Sequence, residues 1–443
     1  MIKHKHVRVA LMIAAALVAG GCSTFRKKAP STPVVGSRIA VLTSESDVQI
    51  HPATAALPMS LPTAVANGEW AQSGGSASKS VGQVALGTAL GRVFSVNGGR
   101  GSSLTARLAS APVVANNKVF TIDTVGTVRA FDGRTGAQLW ASQTPGDRGN
   151  QASLYGGGIA FDNGRIYATN GLGYVAALDE RNGGQLWQVR PGGPLRGAPT
   201  VADNALYVVS QDNQIYSLSE ANGATNWTQA ASLEIAGIFG SAAPAVGQGT
   251  VVSGFSSGEL NAYRYENGRQ VWSDTLQRTS IRTSVSSLSD VDADPVIDNG
   301  QVFAVGQGGR MVALDILTGQ RLWELNIAGI DTPWVAGDWI FVITDDAKLL
   351  CIARSNGHIR WINQLPQFYH PKSKKGEIEY SGPILAGGRL IVAGSNGVLV
   401  NVDPVSGSFQ SQTNIGAGVS LSPVVANQTL YIFDDRGQLH AYR

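Results

Sequence analysis

The chain has 443 residues, of which 54 are glycine, 15% are charged and 7% are aromatic. Glycine at about 12% and so few charges argue against long solvated helices, while 43% hydrophobic residues argue against disorder. Residues 1–21 carry three basic side chains and no acidic one, so the rest of the chain carries equal numbers of each. No broad basic surface is therefore left for nucleic acid. The composition favours short strands joined by glycine-rich turns.

The first 21 residues are predicted to be a signal peptide. The apolar run at 9–18 follows a basic start and is shorter than the roughly 20 residues of a membrane span. The sequence Leu-Val-Ala-Gly-Gly-Cys ending at Cys22 resembles the lipobox of bacterial lipoproteins, which implies a lipidated Cys22; simple secretion is the alternative. By the same resemblance, Ser23 implies sorting to the outer membrane. Residues 22–60 are predicted to be a tether.

The rest of the chain is a repeat. Gly-x-x-x-Trp occurs six times, and the position 28 residues before the tryptophan is proline in five of these copies. A seventh copy, degraded to Gly407 and Ser411, also has the proline, and an eighth begins at Pro423. The tryptophans, which we interpret as structural residues between neighbouring units, are Trp140, Trp187, Trp227, Trp272, Trp323 and Trp361.

Turn residues recur at fixed places inside each repeat. Positions 4, 14 and 24 after the proline are mostly Asn, Asp or Gly, as Asn116, Gly126 and Gly136 in the first repeat. Three tight turns predict four antiparallel strands per repeat. Such a unit cannot bury both faces alone, so neighbours must stack. We therefore predict an all-β fold at 61–443, an eight-bladed β-propeller of four-stranded antiparallel blades.

The eighth repeat ends too early for a fourth strand. Its Gly-x-x-x-Trp motif would begin at position 447, beyond the last residue, Arg443. An unpaired strand edge invites aggregation, so another segment must pair with it. Residues 92–96 (RVFSV), just before the first repeat, are the predicted closing strand, with Phe94 in place of the missing tryptophan.

No catalytic or metal site is predicted. Residues 254–258 match Gly-x-Ser-x-Gly, but a nucleophile elbow needs a strand-to-helix turn, and Gly258 is an ordinary turn glycine of the repeat. The four histidines after the signal peptide lack metal-ligand spacing, and there is no cysteine cluster. The recurring Asp132, Asp179 and Asp315 are interpreted as turn residues.

Stretches such as AFDGRTGAQLW (130–140) resemble the repeat of pyrroloquinoline-quinone (PQQ) enzymes. Lipobox, tether and PQQ-like repeats together resemble the BamB family. This resemblance implies a non-catalytic scaffold lipoprotein, without cofactor, at the periplasmic face of the outer membrane. Its implied partners are BamA, other subunits of the β-barrel assembly (BAM) complex and unfolded outer-membrane protein strands, with a lipid anchor as the membrane contact. The alternatives are a small PQQ-dependent dehydrogenase or a scaffold of another envelope complex.

Two stretches resemble BamB loops that contact BamA, namely 232–237 and 287–295. The resemblance makes Leu233, Ile235, Asp290 and Asp292 the candidate contact residues. The alternative for the two apolar residues is burial between blades, and for the two aspartates it is capping of loop backbone N–H groups. The second stretch lies in one of two long connections, 273–294 and 362–382. Long loops on a rigid scaffold commonly carry binding, although the lysines of the second connection are interpreted as solvated.

Overall fold

The computed structural model describes residues 48–195, 197–233, 242–276 and 290–443. Within these ranges the chain forms eight four-stranded antiparallel sheets, each in sequential strand order except the last. This confirms the predicted all-β propeller of eight blades. No helix in these ranges has the length and apolar character that crossing a membrane requires. Cys22 and the predicted signal peptide lie outside the described residues.

The first four blades follow the chain directly. Blade one contains β2 (Val113–Ala115), β3 (Lys118–Ile122), β4 (Thr127–Asp132) and β5 (Gln138–Gln143), and blade two contains β6 (Ile159–Asp162), β7 (Arg165–Thr169), β8 (Val175–Asp179) and β9 (Gln185–Val189). Blade three contains β10 (Thr200–Ala202), β11 (Ala205–Val209), β12 (Gln214–Ser219) and β13 (Thr225–Ala230). Blade four contains β14 (Ala245–Gly247), β15 (Thr250–Gly254), β16 (Glu259–Arg264) and β17 (Gln270–Thr275). A 3₁₀ turn, Gln151–Ser153, lies between the first two blades.

The last four blades complete the ring. Blade five contains β18 (Val296–Asp298), β19 (Gln301–Gly306), β20 (Arg310–Asp315) and β21 (Arg321–Leu325), and blade six contains β22 (Trp334–Ala336), β23 (Trp339–Ile343), β24 (Lys348–Ala353) and β25 (Ile359–Gln364). Blade seven contains β28 (Tyr380–Ala386), β29 (Arg389–Gly394), β30 (Val398–Val402) and β31 (Phe409–Asn414). Blade eight contains β32 (Val424–Ala426), β33 (Thr429–Phe433), β34 (Gln438–Tyr442) and β1 (Arg92–Asn97). A two-stranded hairpin, β26 (Phe368–His370) and β27 (Lys375–Glu377), fills the connection before blade seven.

The recurring turn residues adopt the left-handed backbone that tight hairpins need. In blade one, φ is 48° at Asn116, 74° at Gly126 and 75° at Gly136, and the matching positions of the other blades are also positive. Asp132 acts as predicted, because its carboxylate accepts hydrogen bonds from the backbone N–H groups of Arg134 and Thr135 in the third turn. The repeat in the sequence is therefore a repeat of turn geometry.

The N-terminal strand closes the ring, as predicted. β1 pairs antiparallel with β34, with Ser95 opposite His440. Phe94 is 9% exposed, and a Cβ atom added at Gly136 of blade one would lie 2.7 Å from its ring. At Gly183 of blade two, the ring of Trp140 stands at the corresponding place. Phe94 thus takes the tryptophan's position at the joint between blades eight and one.

Residues 48–60, the end of the predicted tether, contact blade six. Ile50 bridges to Ile359 of β25, and the short helix α1 (Pro52–Ala55) follows. The Arg360 guanidinium donates to the carbonyls of Thr54 and Leu57, at 3.2 and 2.6 Å. The described chain therefore reaches the propeller at the outer strand of blade six.

Residues 67–84, which we call the central segment, run along the inside of the ring. This segment bonds to the innermost strand of all eight blades in ring order, starting at blade eight. The pairs are Asn67–Val425, Trp70–Val114, Ala71–Phe161, Gln72–Val201, Ala77–Val246, Ser78–Ile297, Gly82–Trp334 and Val84–Leu385, at 2.6–3.2 Å. Nothing in the amino-acid sequence indicates this arrangement, since the central segment contains no repeat.

Candidate partner-binding face

One face of the propeller carries both candidate loops. In an antiparallel four-stranded blade, the second hairpin turn and the connection to the next blade lie at the same end. We call this end the connecting face, and the end that carries the first and third turns the opposite face. The stretches with Leu233 and Asp290 are both inter-blade connections, so both lie on the connecting face.

Leu233 is presented to solvent. Its side chain is 72% exposed, which rules out burial between blades. The preceding Ser232 is held in place, because its N–H and hydroxyl bond to the Glu259 carboxylate at 2.9 and 2.7 Å. Ile235 lies outside the described residues.

Asp290 is in the interior. It is 1% exposed, and its carbonyl accepts from the N–H of Gln307 at 3.0 Å. Asp292 is partly buried and lines the cavity at the mouth of the ring. The two aspartates predicted as one pair therefore stand in different environments, Asp290 beneath the face and Asp292 at its central opening.

Hydrogen bonds connect the two candidate loops through the turns beneath them. The Asn213 amide donates to the Ser232 carbonyl at 2.7 Å and accepts from the Ser256 N–H at 3.1 Å. The neighbouring Phe255 carbonyl accepts from Val291 N–H at 3.3 Å. Both loops therefore rest on the second turns of blades three and four.

Asp294 also belongs to this region and is not among the residues predicted from the sequence. Its buried carboxylate accepts from the Ser73 hydroxyl at 2.5 Å and from the Ala243 N–H at 2.7 Å. Burial raises the pKa of Asp294, while the nearby charge of Lys79 and these hydrogen bonds oppose the rise. Burial also lowers the pKa of Lys79, to about 8. The sequence does distinguish Asp294, because no other repeat has a charged residue directly before its first position.

A cavity of about 310 Å³ opens at the mouth of the ring. Its lining includes the stacked rings of Trp70 and Trp334, whose centroids are 6.1 Å apart. A cleft of about 470 Å³ lies beside it, between blade six and the hairpin. Asp331 lines both, and burial raises its pKa to about 8. Among the described residues, no group of three or more His, Cys, Asp or Glu side chains is arranged to hold a metal ion.

The tryptophans lie at the joints between blades. Each indole N–H donates to a backbone carbonyl of the next blade, at 2.7–3.2 Å. The pairs are Trp140–Glu180, Trp187–Glu220, Trp227–Tyr265, Trp272–Ile316, Trp323–Arg354 and Trp361–Pro404. At the closing joint, the Tyr431 hydroxyl donates to the corresponding carbonyl, Gly133, at 3.1 Å.

Comparison with known proteins assigns the family. The sequence profile described as "Outer membrane protein assembly factor BamB" matches residues 68–154 and 124–363. The BamB of Vibrio cholerae is 31% identical over 331 residues, 74% of this chain and 82% of that protein. The BamB of Yersinia pestis is 26% identical over 336 residues, 75% of this chain and 83% of that protein.

Solved structures show how widely the fold is shared. BamB from Moraxella catarrhalis superimposes with a TM-score of 0.67 at 19% identity, covering 80% of this chain and all of that one. A europium-containing methanol dehydrogenase reaches 0.66 at 12% identity, covering 85% of this chain and 98% of the enzyme. The fold alone therefore does not distinguish scaffold from enzyme. The sequence match assigns the family: the chain belongs to the BamB family of outer membrane protein assembly factors.

Proposed function

We propose that this chain is a non-catalytic scaffold lipoprotein of the outer-membrane β-barrel assembly complex, which binds BamA and assists the folding and insertion of outer-membrane proteins. The observation that carries the proposal is the family match across residues 68–363. The proposed location is the periplasmic face of the outer membrane, with lipid on Cys22 as the anchor. Other subunits of the complex and unfolded outer-membrane strands are further proposed partners.

The occupied ring interior favours a scaffold over a quinoprotein dehydrogenase. The central segment takes up backbone groups on the innermost strands of seven blades and the Trp334 indole of the remaining one, blade six. Trp70 and Gln72 of the segment also line the remaining cavity. Among the described residues no group of three or more His, Cys, Asp or Glu side chains is arranged to hold the metal ion that accompanies the quinone, so these side chains do not fit a quinone–metal pair at the axis.

The proposed BamA contact is centred on Leu233. An exposed leucine that follows a residue with a fixed backbone can enter an apolar pocket of a partner protein, and side chains that fill desolvated pockets carry most of the binding energy of an interface. Asp292, at the central opening, is proposed as a second contact. Asp290 is proposed to support the loop from below, because its side chain is buried. Ile235 remains a predicted contact.

Co-purification of BamA from detergent-solubilised envelopes tests this assignment. Leu233→Asp places a charge in the proposed contact and should reduce BamA recovery at least about tenfold. Leu317→Asp is the matched control, because Leu317 is 69% exposed in the third turn of blade five, on the opposite face. Equal recovery with the two variants would contradict the contact.

The enzyme alternative has its own test. The purified chain is titrated with PQQ and calcium while the quinone absorbance and reduction of an artificial dye are followed. We expect neither saturable binding nor turnover. Saturable binding accompanied by dye reduction would favour the dehydrogenase and overturn the proposed function.

A further inference from the structure

The central segment supports the ends of both candidate loops. The loop that contains Leu233 leads into β14, where the N–H of Val246 donates to the carbonyl of Ala77 at 2.8 Å. The connection that contains Asp290 leads into β18, where the N–H of Ile297 donates to the carbonyl of Ser78, also at 2.8 Å. Consecutive residues of one segment therefore hold the strands that follow the two loops.

A single carboxylate joins the same three parts. Asp294 ends the connection that contains Asp290, Ala243 ends the loop that contains Leu233, and Ser73 belongs to the central segment. The Oδ1 atom of Asp294 accepts from the Ala243 N–H, and its Oδ2 atom accepts from the Ser73 hydroxyl. Each carboxyl oxygen of Asp294 therefore has a partner in a different part of the fold, and the residue is only 6% exposed.

Lys79 supplies the opposite charge from the same segment. Its ammonium group is buried and donates to the hydroxyl of Thr200 at 3.0 Å, which in turn donates to the carbonyl of Pro244 at 2.6 Å. Burial is the larger effect and raises the pKa of Asp294, and the nearby charge of Lys79 opposes this rise. The central segment thus contributes both a hydrogen-bond donor and a counter-charge to this site.

The geometry points to Asp294 as a positioning residue, which fixes the two partner-binding loops relative to each other by attaching both to the central segment. This inference rests on the proposed function, since it concerns the spacing of the proposed contacts. The central segment, which lies inside the ring, would therefore influence partner binding indirectly, by holding the loops that carry the proposed contact residues. Because Asp294 is only 6% exposed, its inferred role is to hold the loops and not to contact the partner.

Hydrogen exchange on the free, full mature chain in detergent tests the attachment without any partner. Ser73→Ala removes the donor from the central segment and should accelerate exchange of the Ala243 and Asp294 amides about tenfold. Ser80→Ala is the matched control, since the Ser80 hydroxyl donates to another carboxylate, Asp298, at 2.9 Å. It should leave those two amides unchanged. Equal rates in both variants, whether fast or slow, would overturn the inference.

BamA binding by the same proteins tests the functional consequence. Ser73→Ala should weaken binding about tenfold relative to Ser80→Ala, and Ser73→Thr, which keeps the hydroxyl, should restore it. Faster exchange with unchanged BamA affinity would refute the positioning role. If the unmodified chain itself fails to bind BamA, the proposed function is wrong, whereas the exchange rates still decide whether Asp294 holds the loops.

Discussion

Replacing Phe94 with alanine removes the aromatic side chain that closes the ring. Phe94 is buried against the Tyr431 ring, with centroids 6.5 Å apart, and against Gly136 of blade one. Phenylalanine-to-alanine changes in protein cores cost about 3–5 kcal/mol. Because β1 is an outer strand, the space left by the ring opens towards solvent, so we expect a loss of about 3 kcal/mol in the free energy of unfolding.

Phe409→Ala is the matched control for this change. Phe409 also lies on the outer strand of a blade, β31 of blade seven, but it is 58% exposed. Surface substitutions usually change stability by about 0.5 kcal/mol or less. Urea denaturation of both variants, followed by tryptophan fluorescence, measures the difference. Equal losses, or a loss under about 1 kcal/mol for Phe94→Ala, would refute the role of Phe94 in closing the ring.

Two further predictions concern a blade joint and a buried acid. Gly268→Ala should lower the free energy of unfolding by about 1–3 kcal/mol more than Gly300→Ala. Both glycines have φ of 70–80°, but only at Gly268 would an added Cβ atom meet the Trp227 ring, at 2.6 Å. Equal urea midpoints for the two variants would contradict this prediction. Burial raises the pKa of Asp331 to about 8, so the folded chain keeps a proton that the unfolded chain releases near pH 4. The free energy of unfolding should therefore fall as pH rises from about 4 to 8, by at most about 1.4 kcal/mol per pH unit. Asp331→Asn should flatten this slope in a pH series of Tm, and an unchanged slope would count against it.

The turn residues explain why the sequence predicts the blades so well. A position such as Asn116 or Gly136 needs a left-handed backbone, and only a few residue types adopt it readily. Because that requirement is local and recurs in every blade, it is visible as a period in the sequence. The place of Phe94 could also be predicted, since the eighth repeat lacks the strand that carries the tryptophan and residues 92–96 had to supply it.

The central segment could not be predicted in this way. Trp70, Ala71 and Gln72 bond to three successive blades, so neighbouring residues have partners that are 44 to 129 positions away. Most of these bonds use the backbone of the segment, which any residue carries. An aperiodic run that bonds through its backbone leaves no pattern of residue types to detect.

The candidate partner-binding residues could likewise be predicted only in part from the sequence. The resemblance to family loops gave Leu233 and Asp290 the same role, yet one side chain faces solvent and the other is buried. A resemblance to a family loop does not show which of its side chains is exposed, because that depends on the packing of the surrounding blades. The amino-acid sequence by itself determined the number of blades and their turns, because both depend on local backbone geometry that repeats, and it determined the closing strand because the eighth repeat lacks its fourth strand. The tertiary structure decided which side chains reach the connecting face and what occupies the ring, because those depend on contacts between residues far apart in the chain.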